Sequence, residues 1–349
     1  MRIVVNNIAA STGGAMTILK DFYSCVCQND KENQWIFLLA DKYFDETDNV
    51  KIIPMPEIKK SAIKKVLFDF ITGRKFINKL NPDVVFSMQN IMTFGVKAPQ
   101  IVYLHQSIPF QKVKKFSFFK GSERKIAFIQ YFIGSIIKLT VKKCQRVIVQ
   151  TKWMKDAVSE ICGVPEDKIS QILPTVKDIV RYKKEDMFDK RNFFYPTAPA
   201  LYKNNDCIFK ACEILEKQGY DFKVVLTLPK EKSTDKIECI GRIPYEEVLE
   251  LYNKSTLLFP SYIETFGYPL VEARMLGSII LASDCPFSHE ALEGYENGYI
   301  FNQFDANSLA NLMKKVIDGE IERNILENEK TDISDSWKSV VCEVKSLFK

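Results

Sequence analysis

The stretch "PSYIETFGYPLVEARMLG", residues 260–277, follows the apolar run "TLLF" and holds two carboxylates, Glu264 and Glu272, eight positions apart. "TLLFPSY" reads as a buried strand, Gly267 lets the backbone turn tightly, and Pro269 suits the first position of a helix over "PLVEARML". The predicted unit is strand, loop, helix, with the backbone N–H groups of Phe266, Gly267 and Tyr268 open near the helix N-terminus and Thr265 beside them. Such an end attracts phosphate, because its first N–H groups have no partner inside the helix and its dipole is positive there. In open α/β sheets ligands bind beyond the carboxyl ends of the strands, which is where this loop falls.

The same design recurs on both sides of the unit. In the first half the β-rich runs "RIVVNNIA", "QWIFLLA", "VKIIPM", "DVVFSM", "QIVYLHQ" and "RVIVQT" alternate with helical pieces such as "AMTILKDFYSCVCQ" and "TKWMKDAVSEIC". In the second, "FKVVLTL", "IECIGRI", "TLLFPSY" and "IILASD" alternate with "CIFKACEILEKQGY", "EEVLELYNKS" and "PLVEARMLG". This alternation predicts parallel sheets covered by helices on both faces. A chain of 349 residues, 46% hydrophobic, suits two such doubly wound domains better than a single core. The expected organisation is a first domain over residues 1–175, a second over 190–330, and a C-terminal amphipathic helix within 331–349 that packs back on the first. The charged segment "TVKDIVRYKKEDMFDKRN", residues 175–192, is the expected hinge.

Composition narrows the class further. The nine cysteines form no CxxC pair and no zinc-like spacing, so they read as reduced thiols of a cytosolic protein. The chain opens on a core strand and lacks the pattern of a signal peptide. Its longest uncharged apolar run, "IAFIQYFIGSII" at 126–137, falls short of the roughly 20 residues a membrane span needs. The net charge of +5 hides an uneven distribution, with residues 59–80 carrying +6 and residues 112–146 carrying +9. These lysines are interleaved with "VLFDFI", "FSFF" and "IAFIQYF", which suits a helix lying on an anionic lipid surface; nucleic acid is the competing partner for such a stretch.

The two acids suit separate tasks. Glu272, about one turn into the helix, is placed to accept hydrogen bonds from vicinal hydroxyls such as those of a ribose. Glu264, before the turn, faces the side where a sugar attached to a diphosphate would lie. A nucleotide diphosphate sugar fits this spacing, although a loop acid and a first-turn acid favoured by the helix dipole would also produce it. "FPSYIETFGYPLVEARMLGSIILASD" closely resembles the signature of retaining glycosyltransferase family four, which in outline reads P-S-x-x-E-G-F-G-L-P-x-x-E-A-x-x-x-G. The resemblance extends along most of the chain and implies the GT-B fold, two Rossmann-like domains facing a central cleft. The context "HQSIPF" around His105 further resembles transferases of bacterial surface polysaccharides.

Other positions take roles from the same resemblance. Gly13 and Gly14, between the first strand and a helix, match the loop that faces the donor; physically they form a glycine-relaxed loop that lets a phosphate or an acceptor approach the backbone. His105 matches a strand-end histidine near the transferred sugar, and Lys203 a lysine that neutralises the pyrophosphate leaving group. The family's usual arginine, five or six positions earlier, is replaced by Ala198 or Thr197. Arg242 is a candidate substitute, with capping a helix or sitting in solvent as its plain alternatives. His289 reads as structural.

No D-x-D, histidine cluster or HExxH occurs, so no metal and no cofactor is expected. The expectation is a peripheral enzyme on the cytoplasmic face of the membrane, moving a sugar to a lipid-linked saccharide with retention, for capsule, O-antigen or exopolysaccharide, with no nucleic-acid partner. A nucleotide-sugar epimerase of the same architecture and a non-catalytic nucleotide-sugar-binding subunit are the alternatives.

Overall fold

The computed structural model describes residues 1–11, 13–184, 186–325 and 336–347. The first sheet has seven strands: β1 (Arg2–Asn7), β2 (Gln34–Leu39), β3 (Val50–Pro54), β4 (Val84–Ser87), β5 (Gln100–Leu104), β6 (Arg146–Val149) and β7 (Ile169–Gln171). The second has six: β8 (Asn192–Tyr195), β9 (Lys223–Leu226), β10 (Ile237–Cys239), β11 (Thr256–Phe259), β12 (Ile280–Ser283) and β13 (Gly298–Phe301). Their orders are β3-β2-β1-β4-β5-β6-β7 and β10-β9-β8-β11-β12-β13, and the ladder pairs are parallel throughout. The expected α/β architecture of two doubly wound sheets is therefore present, with β7, β8 and β13 added to the strands the sequence predicts.

Strands β4, β5, β11 and β12 are buried along their whole length, as strands covered on both faces must be. Central pairings hold Val4 between Ile36 and Val85, and Leu257 between Phe194 and Ile280. In each sheet the order reverses beside the first strand, between β1 and β4 and between β8 and β11. Loops at such a switch point diverge and leave a crevice. The segments after β1, β4, β8 and β11 lead to the helix starting at Gly13 and carry Asn90, Lys203 and Glu264 respectively.

Between β7 and β8 the chain runs without a long helix, through the short turn Val180–Tyr182. The expected boundary at residues 330–331 lies outside the described residues. The helix Ser336–Ser346 packs on the first domain, with the Trp337 ring centred 5.6 Å from both Phe22 and Tyr103. Glu343 on the same helix accepts from Arg146 at 2.6 Å and from Ser170 at 2.5 Å. Removing an indole from water in this way contributes on the order of 4 kcal/mol.

A second crossing occurs after β5. Residues 105–123 lean across the cleft, and Ile108 and Phe116 join the core of the second domain, with the Phe116 ring 6.3 Å from that of Tyr262. Glu123, the single acid among the bases of residues 112–146, is buried there; its Oε2 accepts from the Ser117 N–H at 2.9 Å, and Lys114 lies 3.4 Å from its Oε1.

Candidate active site

The loop before the helix Tyr268–Met275 is built as its residues dictate. Gly267 adopts φ 79°, a left-handed conformation that suits glycine, and the helix Tyr268–Met275 starts immediately after it with Pro269 in its first turn. The N–H groups of Phe266, Gly267 and Tyr268 donate to no acceptor among the described residues, so the turn presents open donors.

Glu264 lies just before these donors. Lys203 Nζ is 2.6 Å from its Oε1, and the Ser261 hydroxyl donates to the same oxygen at 2.7 Å. Both contacts fall on Oε1, which leaves Oε2 without a partner among the described residues. Lys203 ends the short turn Leu201–Lys203, and Asn204 behind it sits at φ 54° with its amide donating to the Pro260 and Gln303 carbonyls at 3.3 and 2.8 Å. That clamp seats the lysine against the loop. Burial opposes the Lys203 charge, but the neighbouring Tyr195 and Glu264 hold its pKa above the usual range. The sequence reading gives Lys203 and Glu264 separate tasks; the structure brings them together as an ion pair.

Glu272 faces the other side of the helix. Tyr245 and Tyr252 donate their hydroxyls to its two oxygens at 2.9 and 3.2 Å, and burial raises its pKa against those bonds and the nearby Lys177. The Lys177 ammonium lies 5.2 Å from the centre of the Tyr245 ring, which places a cation at this end of the site. Arg242 is exposed and makes no hydrogen bond or ion pair among the described residues. The Thr197 hydroxyl donates to Asn205 Oδ1 at 2.8 Å, so the position matching the family arginine is occupied by a local turn.

The first domain supplies His105, directly after β5. Its backbone N–H donates to Asn90 Oδ1 at 2.8 Å, which fixes the orientation of that amide, so Asn90 Nδ2 donates to His105 Nε2 at 3.2 Å. Burial holds the imidazole neutral, with a pKa pushed down to about 4. A neutral ring that accepts at Nε2 carries its proton on Nδ1, and Nδ1 is enclosed without a partner among the described residues. An unpaired buried donor of this kind is costly unless a ligand oxygen completes it. Across the cleft, the Thr265 hydroxyl donates to the His105 carbonyl at 3.0 Å, which joins the histidine to the loop before the helix Tyr268–Met275. The helix Gly13–Asn29 begins at the two glycines themselves, so they form its first turn instead of the expected loop before it, and a side chain at Gly14 would meet nothing within 4 Å.

Sequence reasoning passed over Asn90, Lys177, Tyr245, Tyr252 and Ser261. Tyr245 and Tyr252 reach the site from one helix, Tyr245–Lys254, the others from separate segments, and only Ser261 lies within the quoted motif. The arrangement offers open N–H donors flanked by carboxylates, a buried lysine and a neutral imidazole, which together suit an anionic ligand bearing hydroxyls at both ends.

Residues 182–332 match the family model described as Glycosyl transferases group 1. The O-antigen chain mannosyltransferase RfbU of Salmonella typhimurium is 26% identical over 206 residues, covering 54% of this chain and 56% of the relative. The chain thus spans about half the length of that relative. The N,N'-diacetylbacillosaminyl-diphospho-undecaprenol alpha-1,3-N-acetylgalactosaminyltransferase of Campylobacter jejuni is 21% identical over 339 residues, covering 90% of this chain and 89% of the relative. Among solved structures, HepE of Anabaena in complex with UDP and glucose superposes with a TM-score of 0.62 at 13% identity, over 99% of this chain and 100% of that one. WaaG, a glycosyltransferase involved in lipopolysaccharide biosynthesis, gives 0.67 at 12% identity, over 98% and 99%. At such identities the likeness concerns the fold. The chain has the two Rossmann-like domains of GT-B proteins, and its C-terminal half is similar to the glycosyl transferases of group 1.

Proposed function

We propose that this protein is a retaining glycosyltransferase of the family-four type, moving a hexose from a nucleotide diphosphate sugar to a lipid-linked saccharide in the synthesis of a bacterial surface polysaccharide such as O-antigen, capsule or exopolysaccharide. The observation that carries the reading is the open turn of Phe266, Gly267 and Tyr268 between two carboxylates, each already held by its own partners. The diphosphate sits on the turn. Glu272, steadied by Tyr245 and Tyr252, takes the ribose hydroxyls, and the unpartnered Oε2 of Glu264 takes a hydroxyl of the sugar. The UDP complex of HepE and the lipid-linked substrate in the name of the Campylobacter relative support the donor and acceptor classes.

In the reaction the bond from the anomeric carbon to the diphosphate oxygen breaks, and a bond to the acceptor hydroxyl oxygen forms on the same face. The hydroxyl proton passes to the departing diphosphate, which leaves as a nucleoside diphosphate. Lys203 and the turn N–H groups stabilise the charge that develops on the leaving oxygen without a metal ion. Neutral His105 lines the sugar pocket from the first domain. The lysine-rich, apolar surfaces of residues 59–80 and 112–146 rest on the cytoplasmic leaflet, where the acceptor is presented.

Calorimetric titration of UDP and GDP into the wild-type chain and into Glu272→Ala tests the donor site. The variant should lose at least about tenfold in affinity, corresponding to ~1.4 kcal/mol. Unchanged affinity removes Glu272 from the site. Turnover measured in EDTA should equal turnover in magnesium.

A further inference from the structure

The helix Lys152–Cys162 of the first domain lacks a cap from its own chain segment. Thr151 stands at the capping position in extended conformation, φ −140° and ψ 157°, where a threonine hydroxyl ordinarily accepts from the first helical turn. Its hydroxyl instead donates to the Thr265 carbonyl of the second domain at 3.2 Å. The N–H groups of Lys152 and Trp153 donate across the cleft to Glu290 Oε1 and Oε2, each at 2.8 Å. Glu290 lies on the helix Pro286–Ala291, so one domain caps a helix of the other. The Trp153 indole Nε1–H donates to the same Thr265 carbonyl at 2.8 Å.

Thr265 lies between Glu264 and the open turn. The peptide linking Thr265 to Phe266 is planar and trans, so its carbonyl and N–H point in opposite directions. Two donors holding the carbonyl toward the first domain therefore aim the Phe266 N–H away from it, into the turn. We propose that Trp153 and Glu290 are positioning residues that couple domain closure to the donor site. The bonds form only when the domains meet, and forming them orients the peptide beside Glu264. An open cleft leaves the helix end and the Glu290 carboxylate to water and frees the peptide to rotate. The consequence for turnover rests on the donor reading above; the coupling of the loop to the cleft does not.

The test uses the full chain with Trp153→Phe, which keeps an aromatic ring and removes the N–H donor, and Glu290→Gln, which places an amide nitrogen against one of the helix N–H groups. Hydrogen exchange of a peptide covering residues 150–156, whose Lys152 and Trp153 N–H groups the latch holds, should speed up in both variants, while exchange in β4 and β11 stays unchanged. With a UDP- or GDP-sugar that the wild type turns over, kcat should fall about tenfold and KM by less than about threefold in either direction. The double variant should match the single ones, because all three break one latch. Unchanged exchange at 150–156, or losses that multiply in the double variant, would overturn the proposal. A wild-type chain that binds no nucleotide would sink the donor reading and leave the exchange result to decide the latch alone.

Discussion

Lys203 keeps its charge in a place that burial disfavours, and it does so because a carboxylate stands 2.6 Å away with both side chains only 17% exposed. Removing one member of such a pair strands the other. Lys203→Ala is expected to lower stability by ~2 kcal/mol in urea unfolding, a figure reduced from that of a fully buried pair because water still reaches this one. Lys203→Ala combined with Glu264→Ala should cost less than the single change, since no unpaired carboxylate remains; a larger cost would show that the pair is not the source of the effect. At this scale the sequence was informative about positions and silent about partners. Glu264, Gly267 and Glu272 lie within one strand–turn–helix unit, so their places follow from local chemistry. Asn90, Tyr245 and Tyr252 reach their partners over 15, 27 and 20 residues respectively, and no local pattern specifies those meetings.

Two helices of the first domain share an irregularity. Each contains a five-residue π-turn, Phe68–Thr72 and Ile129–Ile133, followed by a glycine. A Cβ at Gly73 would lie 2.5 Å from the Phe68 carbonyl oxygen, and one at Gly134 would lie 2.9 Å from Pro109, so only glycine fits either position. The first π-turn buries Asp69, whose pKa burial pushes up to about 7, although Lys65 and a 2.9 Å bond from Gln89 pull it down. An unfolded chain releases this proton near pH 4, whereas the folded one holds it up to about 7, so the carboxyl costs stability as pH rises through that interval. Asp69→Asn should therefore stabilise the protein by about 4 kcal/mol more at pH 8 than near pH 4, as read from urea midpoints. A gain that is flat with pH would exclude the carboxyl as its source. Elements of this kind escape a periodicity reading, as do β8 and β13. A four-residue strand such as Asn192–Tyr195 is too short to show a period, and its partners β9 and β11 define it.

At the scale of the whole molecule the alternation of strands and helices made the double α/β architecture legible, because parallel sheets demand that rhythm. The crossings between the domains were not legible in the same way, apart from the amphipathic pattern of the final helix. The two basic helical segments both reach Phe94. The Phe70 ring stacks on Phe94 at 4.7 Å, and Lys143 lies 5.9 Å from the same ring. Apolar side chains stand out among the lysines, with Ile63 74% and Phe119 96% exposed, and no helix among the described residues is long and apolar enough to cross a membrane. Vesicles rich in anionic lipid should retain the protein at low ionic strength and release it as salt rises. Ile63→Ser together with Phe119→Ser should weaken that retention about tenfold. Equal retention on neutral vesicles, or none on anionic ones, would remove the membrane from the reading.

The final helix bears on the order in which the protein can become itself during synthesis. Trp337 fills a place between Phe22 and Tyr103, in the core that the first strands begin. A ribosome delivers that ring only after the entire second domain has been made. Until then the first domain waits with an unfilled socket, so the half of the molecule that is translated first is the half completed last.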